Sequence, residues 1–304
     1  MQNVYDLIIV GAGPAGITAA VYAVRKGLSV LVISEDVGGQ TLWSGNIENY
    51  TGFRFLTGPQ LVEKFEEHMQ QYGIVPRVFE RVTSVSKVAD GSFDLVSDVG
   101  SYHAKTVLIA TGKRSRTLGV PGEEHFRNRG VAFCATCDGP LFKGKDVAVI
   151  GGGNSALDAA LSLMKICTRV TVVNVAESLT GDAVMVEKVS SSANVSVLNG
   201  ARVSEILGRE HVESLSVQTS QGQVSVPVSA VFVEIGLIPN ADAVSSVTKN
   251  AAGEIVVDSR NRTSVAGLFA AGDVTDVPEK QIVIAAGEGA KAALSVFNHL
   301  STQR

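Results

Sequence analysis

The sequence predicts an α/β protein of two three-layer domains, the second inserted into the first. Three observations predict it. A strand, glycine turn, helix and strand open the chain, and the pattern recurs about 140 residues later, from Gly11 to Gly151. Glycine occupies 31 of 304 positions, near 10% where about 7% is ordinary. The chain is 45% hydrophobic and 18% charged, which excludes a disordered or fibrous polypeptide and leaves ample material for a core.

The first unit starts with Leu7-Ile8-Ile9-Val10, a short apolar run of the kind a doubly covered parallel strand requires. Gly11-Ala12-Gly13-Pro14-Ala15-Gly16 is its turn, Ile17–Lys26 its helix and Leu28–Ile33 its next strand. In the second unit Asp146–Ile150 is the strand, Gly151-Gly152-Gly153-Asn154-Ser155-Ala156 the turn, Leu157–Ile166 the helix and Arg169–Val173 the following strand. The intervening segments read mostly as strands: Val78–Val88, Phe93–Val96 and Val107–Ala110, then Val195–Leu198, Val203–Ile206, Ser214–Thr219 and Val224–Val228. Gly267–Ala270 is a last strand and Ile282–Leu300 a long helix. The simplest topology gives a first domain of residues 1–115 and 245–304, interrupted by a second of residues 116–244.

Composition narrows the function classes. A net charge of −4 without a long basic run argues against nucleic acid as a partner. The uncharged stretch Leu7–Val24 is broken by glycines and a proline, and Ser214–Val233 alternates like strands, so no membrane segment is expected. The start lacks the marks of a secretory leader, and three cysteines make no disulfide framework. A reducing, cytoplasmic location is the expectation.

Gly11-x-Gly13-x-x-Gly16 follows a strand and opens a helix, and Glu35 stands about 20 residues further on, at the end of the second strand. In a Rossmann-like, dinucleotide-binding domain the first glycine makes the turn, the second admits a pyrophosphate and the third lets helix and strand pack. The helix N-terminus then offers free N–H groups to phosphate. A tight turn without ligand is the alternative. Ala110-Thr111-Gly112 and Ala271-Gly272-Asp273 end two further strands. Asp273 is placed either to accept from a polyol hydroxyl or to cap a turn. This pairing resembles the flavoproteins of the two-dinucleotide-domain disulfide reductase class, which implies FAD in the first domain.

Cys134-Ala135-Thr136-Cys137-Asp138 is the most specific motif. Two sulfurs at this spacing close a small ring, and the more exposed thiol acquires a lowered pKa. Half a zinc site is the competing reading, but the five histidines are scattered and Cys167 stands alone, so no metal is expected. Asp138 is placed to move a proton as the disulfide opens. Cys167, ending an apolar helix, reads as a buried structural thiol.

Taken with the glycine turns, Cys134-Ala135-Thr136-Cys137-Asp138-Gly139 resembles the low-molecular-weight thioredoxin reductases over essentially the whole chain. The resemblance includes Gly38-Gly39-Gln40, Ile47-Glu48-Asn49 and Lys280-Gln281-Ile282, which in that family lie against the flavin. From Pro140 onward, and at Gly287-Glu288-Gly289-Ala290-Lys291, the chain is also similar to the flavoprotein of alkyl hydroperoxide reductase, which carries an additional N-terminal thioredoxin-like part. The resemblance implies that Cys137 faces the flavin, that Cys134 attacks a thioredoxin-like acceptor and that Asp138 donates a proton. It also implies rotation of the inserted domain and a homodimer.

One segment departs from the family. A 2′-phosphate calls for arginines, and the family supplies a cluster of them after the second unit's second strand. Here Asn174-Val175-Ala176-Glu177-Ser178-Leu179-Thr180-Gly181 follows, with no Lys or Arg between Arg169 and Lys188. NADH calls for an acid at the strand end, where Asn174 stands instead, and Glu177 substitutes only if the loop curls back. Three readings follow. The first is a reductase without pyridine nucleotide, similar to the ferredoxin-dependent flavin thioredoxin reductases. The second is an NADH- or NADPH-dependent reductase of thioredoxin or peroxiredoxin. The third is a non-enzymatic flavin redox sensor.

Overall fold

The computed structural model describes residues 4–44 and 46–302. They fall into two compact units, the chain passing from the first to the second at 114/115 and back at 237/238.

The first unit is built on the Val4–Ala12 strand, which pairs in parallel with Val30–Val37 on one side and Ser101–Ile109 on the other. Leu268–Ala270 adds in parallel to the last residues of Ser101–Ile109, while Phe93–Ser97 and Val82–Lys87 extend the sheet antiparallel. Because successive strand residues face opposite ways, the run Leu7–Val10 feeds two cores. Leu7 and Ile9 pack with helix α1 (Pro14–Arg25), while Ile8 and Val10 pack with Val107, Ile109, Ala241 and Val244. All four are at most 4% exposed, the burial that a double-sided cover requires.

Helix α2 (Gly58–Gln71) is not among the elements that the sequence pattern predicts. A capping box starts it: Thr57 N–H donates to Gln60 Oε1 at 2.9 Å, and Gln60 N–H to Thr57 Oγ1 at 3.4 Å. Leu61, Val62 and Met69 are among its buried residues. Thr57→Ala removes one half of the box, and a loss of about 1 kcal/mol is expected. It should appear as a lower urea midpoint at unchanged slope.

The second unit has a five-stranded parallel sheet in the order Val195–Leu198, Arg169–Val173, Asp146–Ile150, Ala230–Val233 and Val131–Ala132. Helix α3 (Ala135–Asp138) follows the Val131–Ala132 strand, and α4 (Asn154–Leu163) follows Asp146–Ile150. Helix α5 (Ala183–Ser190) precedes Val195–Leu198. Val147 and Val149 face α4, with Leu157 and Leu163 in the same core. Ala148 and Ile150 face an antiparallel sheet of Arg202–Gly208, Val212–Thr219 and Gly222–Pro227. Each unit therefore has three layers.

The units divide at 237/238, not at the 244/245 expected. The reason is packing: Ala241, Val244 and Val247 are buried in the first unit's core against Val85 and Ile255. The expected Val78–Val88 strand begins only at Val82, since Val78 and Phe79 are exposed and Phe79 has a φ of 58°. The closing helix α6 (Ile282–Thr302) lays Ala292 and Ala293 into the core that Ala19 and Ala20 of α1 share. Among the described residues no helix is long and apolar enough to cross a membrane.

Candidate active site

In the first unit, the residues expected at a dinucleotide come together around the start of α1. Gly11 turns at a φ of 107°, a left-handed conformation open to glycine. A Cβ on Gly16 would lie inside the Gly11 carbonyl, whereas one on Gly13 would meet nothing within 4 Å. Gly13 precedes α1 without capping it by a side chain, and Pro14 occupies the first turn, so the remaining N–H groups there face an open approach. Gly39 lies over this turn, its Cβ direction 3.7 Å from Gly13 Cα, and Gln40 follows it. Gly272 packs on Ala15, and a Cβ there would stand 3.0 Å from the Ala15 Cβ.

Other expected residues are joined to one another. Asn49 Nδ2 donates to Gln281 Oε1 at 3.1 Å, just before Ile282 opens α6. Thr111 Oγ1 donates to Asn240 O at 2.6 Å, and Asn240 N–H donates to Gly112 O at 3.0 Å. Burial pushes the Asp273 carboxyl up, while Lys280 and Lys113 draw it down. Glu35, two residues before the end of the Val30–Val37 strand, is exposed and pairs with Arg81 at 2.6 Å. Lys280 is taken up inside the unit: its ammonium donates to Thr275 O at 2.6 Å and pairs with Glu254 at 3.3 Å. Lys113 pairs with the same Glu254. Sequence reasoning missed Lys113, Glu254 and Arg81, although a lone acid between Gly253 and Ile255 was a visible signal.

The second unit holds the sulfur chemistry. Cys134 and Cys137 form a disulfide with Cα atoms 5.3 Å apart. Cys134 also starts α3, its Sγ accepting from Cys137 N–H at 3.2 Å. Asp138 N–H returns to Cys134 O at 3.0 Å, and Gly139 packs against Leu163 of α4. Both cysteines and Asp138 are half-buried, with Thr136, Pro140 and Leu141 exposed beside them. Cys167 is buried, and burial pushes its thiol up to about 11. Sequence reasoning also missed Glu234, whose carboxylate accepts from Ser155 Oγ at 2.6 Å and is pushed up by burial.

The glycine turn of this unit has a different surrounding from that of the first. Asn174 is 3% exposed, and its amide lies where a Gly152 Cβ would be. Its Nδ2 donates to Ala176 O, Ser178 O and Asn199 Oδ1, and its Oδ1 accepts from Ala176 N–H. The loop beyond it curls back: Thr180 N–H donates to Gly152 O at 2.8 Å, and Asp182 N–H to Asn154 Oδ1 at 2.7 Å. Glu177 points toward Gly200, its Oε1 3.5 Å from the Gly200 Cβ direction.

With this geometry in hand, the chain belongs to the pyridine nucleotide-disulphide oxidoreductase family, whose model matches residues 5–289. Within it, the fold is that of the thioredoxin reductases: the enzyme from Streptococcus pyogenes matches with a TM-score of 0.92 and 35% identity, over 99% of this chain and 100% of that one. A ferredoxin-flavin thioredoxin reductase from Clostridium acetobutylicum matches with a TM-score of 0.55 and 30% identity, over 99% of this chain and 100% of that one. An alkyl hydroperoxide reductase from Pseudomonas putida (its F subunit) is 46% identical over 305 residues, which is 98% of this chain and 59% of that protein. The chain thus spans about three fifths of the length of this curated relative. The class is that of flavoprotein disulfide oxidoreductases of the thioredoxin reductase type, with FAD as cofactor. The first unit fits that group: an uncapped helix start, open space over Gly13 and a desolvated Asp273 converge there.

Proposed function

We propose that this chain reduces the disulfide of a thioredoxin-like protein with electrons that come from ferredoxin or another donor that is not a nicotinamide. The observation that carries the donor reading is Asn174. Its amide is buried and engaged with Ala176 and Ser178 of its own loop and with Asn199, so it offers no free acceptor to a ribose 2′-hydroxyl. The same loop supplies no guanidinium for a 2′-phosphate. Two missing charge-assisted hydrogen bonds at about 1.5 kcal/mol each amount to roughly a hundredfold in affinity.

Gly11, Gly13, Gly16, Gly272 and Asp273 of the first unit would hold FAD, which would supply there the two electrons needed to open the Cys134–Cys137 disulfide. The Cys134 thiolate then attacks one sulfur of the acceptor's disulfide. That S–S bond breaks, a Cys134–acceptor disulfide forms, and the departing acceptor sulfur takes up a proton. The Cys137 thiolate next attacks the Cys134 sulfur, which restores the internal disulfide and releases the second acceptor thiol. Asp138, adjacent to Cys137, holds the proton exchanged at that sulfur.

A second reading has its own support. The 46% identity to the alkyl hydroperoxide reductase of Pseudomonas putida and the retained turn Gly151-x-Gly153-x-x-Ala156 favour an NADH- or NADPH-dependent reductase of thioredoxin or peroxiredoxin. Glu177, on the loop that curls back, is the residue it would use. Steady-state thiol formation separates the two. With thioredoxin as acceptor, reduced ferredoxin should support turnover at least about a hundredfold faster than NADH or NADPH at micromolar concentration, the factor set by the missing contacts. Turnover with a nicotinamide and none with ferredoxin would establish the second reading.

A further inference from the structure

Phe79 is 86% exposed, the most open of the large apolar side chains among the described residues. It also holds a φ of 58°, a left-handed conformation that a bulky residue seldom adopts. A side chain that buries nothing on a strained backbone adds nothing to folding, and strain of this kind gathers at ligand sites. The strain persists because both flanks are pinned. Arg77 N–H donates to Val32 O at 2.8 Å, Ser34 N–H to Arg77 O at 2.9 Å and Glu80 N–H to Ser34 O at 3.1 Å. The buried Glu80 carboxylate accepts from Ser97 Oγ at 2.5 Å and from Tyr102 Oη at 2.6 Å. Residues 77–80 therefore run along the end of the Val30–Val37 strand, and Phe79 N–H donates to Glu35 O at 3.2 Å.

Glu35 is the acid that a dinucleotide-binding fold keeps near the end of its second strand for a ribose hydroxyl. Arg81 engages its Oε2 at 2.6 Å, and its Oε1 has no hydrogen-bond partner among the described residues. The adenine of a dinucleotide is one glycosidic bond beyond that ribose, and Phe79 is the aromatic ring on the segment that flanks Glu35. We infer that Phe79 is a binding residue for FAD, its ring stacking on the face of the adenine. The inference rests on FAD lying in the first unit with its adenosine ribose at Glu35, and it holds whichever donor reduces the flavin. Stacking asks for no hydrogen-bond partner, only for an exposed aromatic face held still, which the pinned backbone supplies. Truncating an aromatic ring beneath a base costs roughly 5- to 150-fold in affinity.

The test dilutes the full-length, FAD-loaded protein and reads the released flavin by its fluorescence, which gives the dissociation constant of FAD. Phe79→Ala and Phe79→Gly should each hold FAD about tenfold more weakly than the parent, within that range. Phe79→Trp should hold it at least as tightly. The FAD-free alanine and glycine variants should melt no lower than the FAD-free parent, because the ring buries nothing and glycine relieves the positive φ. An affinity unmoved by Phe79→Ala overturns the inference. So does a loss that Phe79→Trp does not restore, or one matched by a lower melting temperature of the FAD-free protein. A contact between subunits through this ring would show as a lower oligomeric state of Phe79→Ala at unchanged affinity, and would overturn it too. Glu35→Leu separates the inference from its footing. If that variant also keeps the parent's affinity, the placement of the ribose fails; if it loses affinity while Phe79→Ala does not, the stacking alone fails.

Discussion

Cys137→Ser is expected to abolish thiol production, by at least about a thousandfold, while leaving the flavin in place. The two sulfurs act as a unit, and removing one member of such a unit costs nearly as much as removing all. Without Cys137 no sulfur resolves the Cys134–acceptor disulfide, so the variant should trap the acceptor as a covalent complex that a reductant such as dithiothreitol releases. The residues proposed to hold FAD all belong to the first unit, so the flavin absorbance per protein should match the parent. The cross-link spans a separation of three residues, which puts its contribution to stability at about 2 kcal/mol. A modest fall in melting temperature is therefore expected, whereas full turnover by the variant would remove the disulfide from the mechanism.

Gly16→Ala is expected to destabilise the first unit by about 3 kcal/mol, at the upper end of overpacking effects. The added carbon meets the Gly11 carbonyl and then Ile9 Cγ2 at 3.3 Å. Neither gives way. Gly11 is itself fixed by its positive φ and its close approach to Ala110 O, and Ile9 is fully buried in the core. Gly13→Ala is the informative contrast, because its Cβ would enter open space. That variant should melt with the parent and yet retain less flavin, since the carbon stands where the pyrophosphate approaches the backbone. Thermal melts and flavin-to-protein absorbance ratios measure both effects. Equal melting of the two variants would contradict the packing account, and full flavin retention by Gly13→Ala would contradict the placement of the cofactor.

The parallel strands were legible because burial on two faces turns them into apolar runs. Leu7–Val10 and Val147–Ile150 need no alternation to announce themselves, and the glycine turns that follow mark where each sheet meets its helix. Helix α2 was lost among charges. Glu63, Lys64, Glu66, Glu67 and His68 hide the stripe of Leu61, Val62 and Met69, although Thr57, Pro59 and Gln60 together were a readable start signal. Helix α5 is short, and its N-cap residue Asp182 makes no side-chain capping bond. At the redox pair, Cys134, Cys137 and Asp138 were visible from spacing alone. Elsewhere in the second unit Glu234 was not, because its partner Ser155 lies 79 residues away and only the fold joins them. Asn174 shows both limits. Its identity flagged the missing nucleotide contacts, but that its amide is held by Asn199, 25 residues on, required the structure.

We propose above that this flavoprotein takes electrons without a nicotinamide. The direct measurement is anaerobic titration of the FAD-loaded protein, following the visible flavin band as NADH, NADPH or reduced ferredoxin is added. NADH and NADPH at micromolar concentration should leave the band intact over the time in which reduced ferredoxin bleaches it. Rapid bleaching by either nicotinamide would contradict the account and return Glu177 and the Gly151–Gly153 turn to the role of a working nucleotide site.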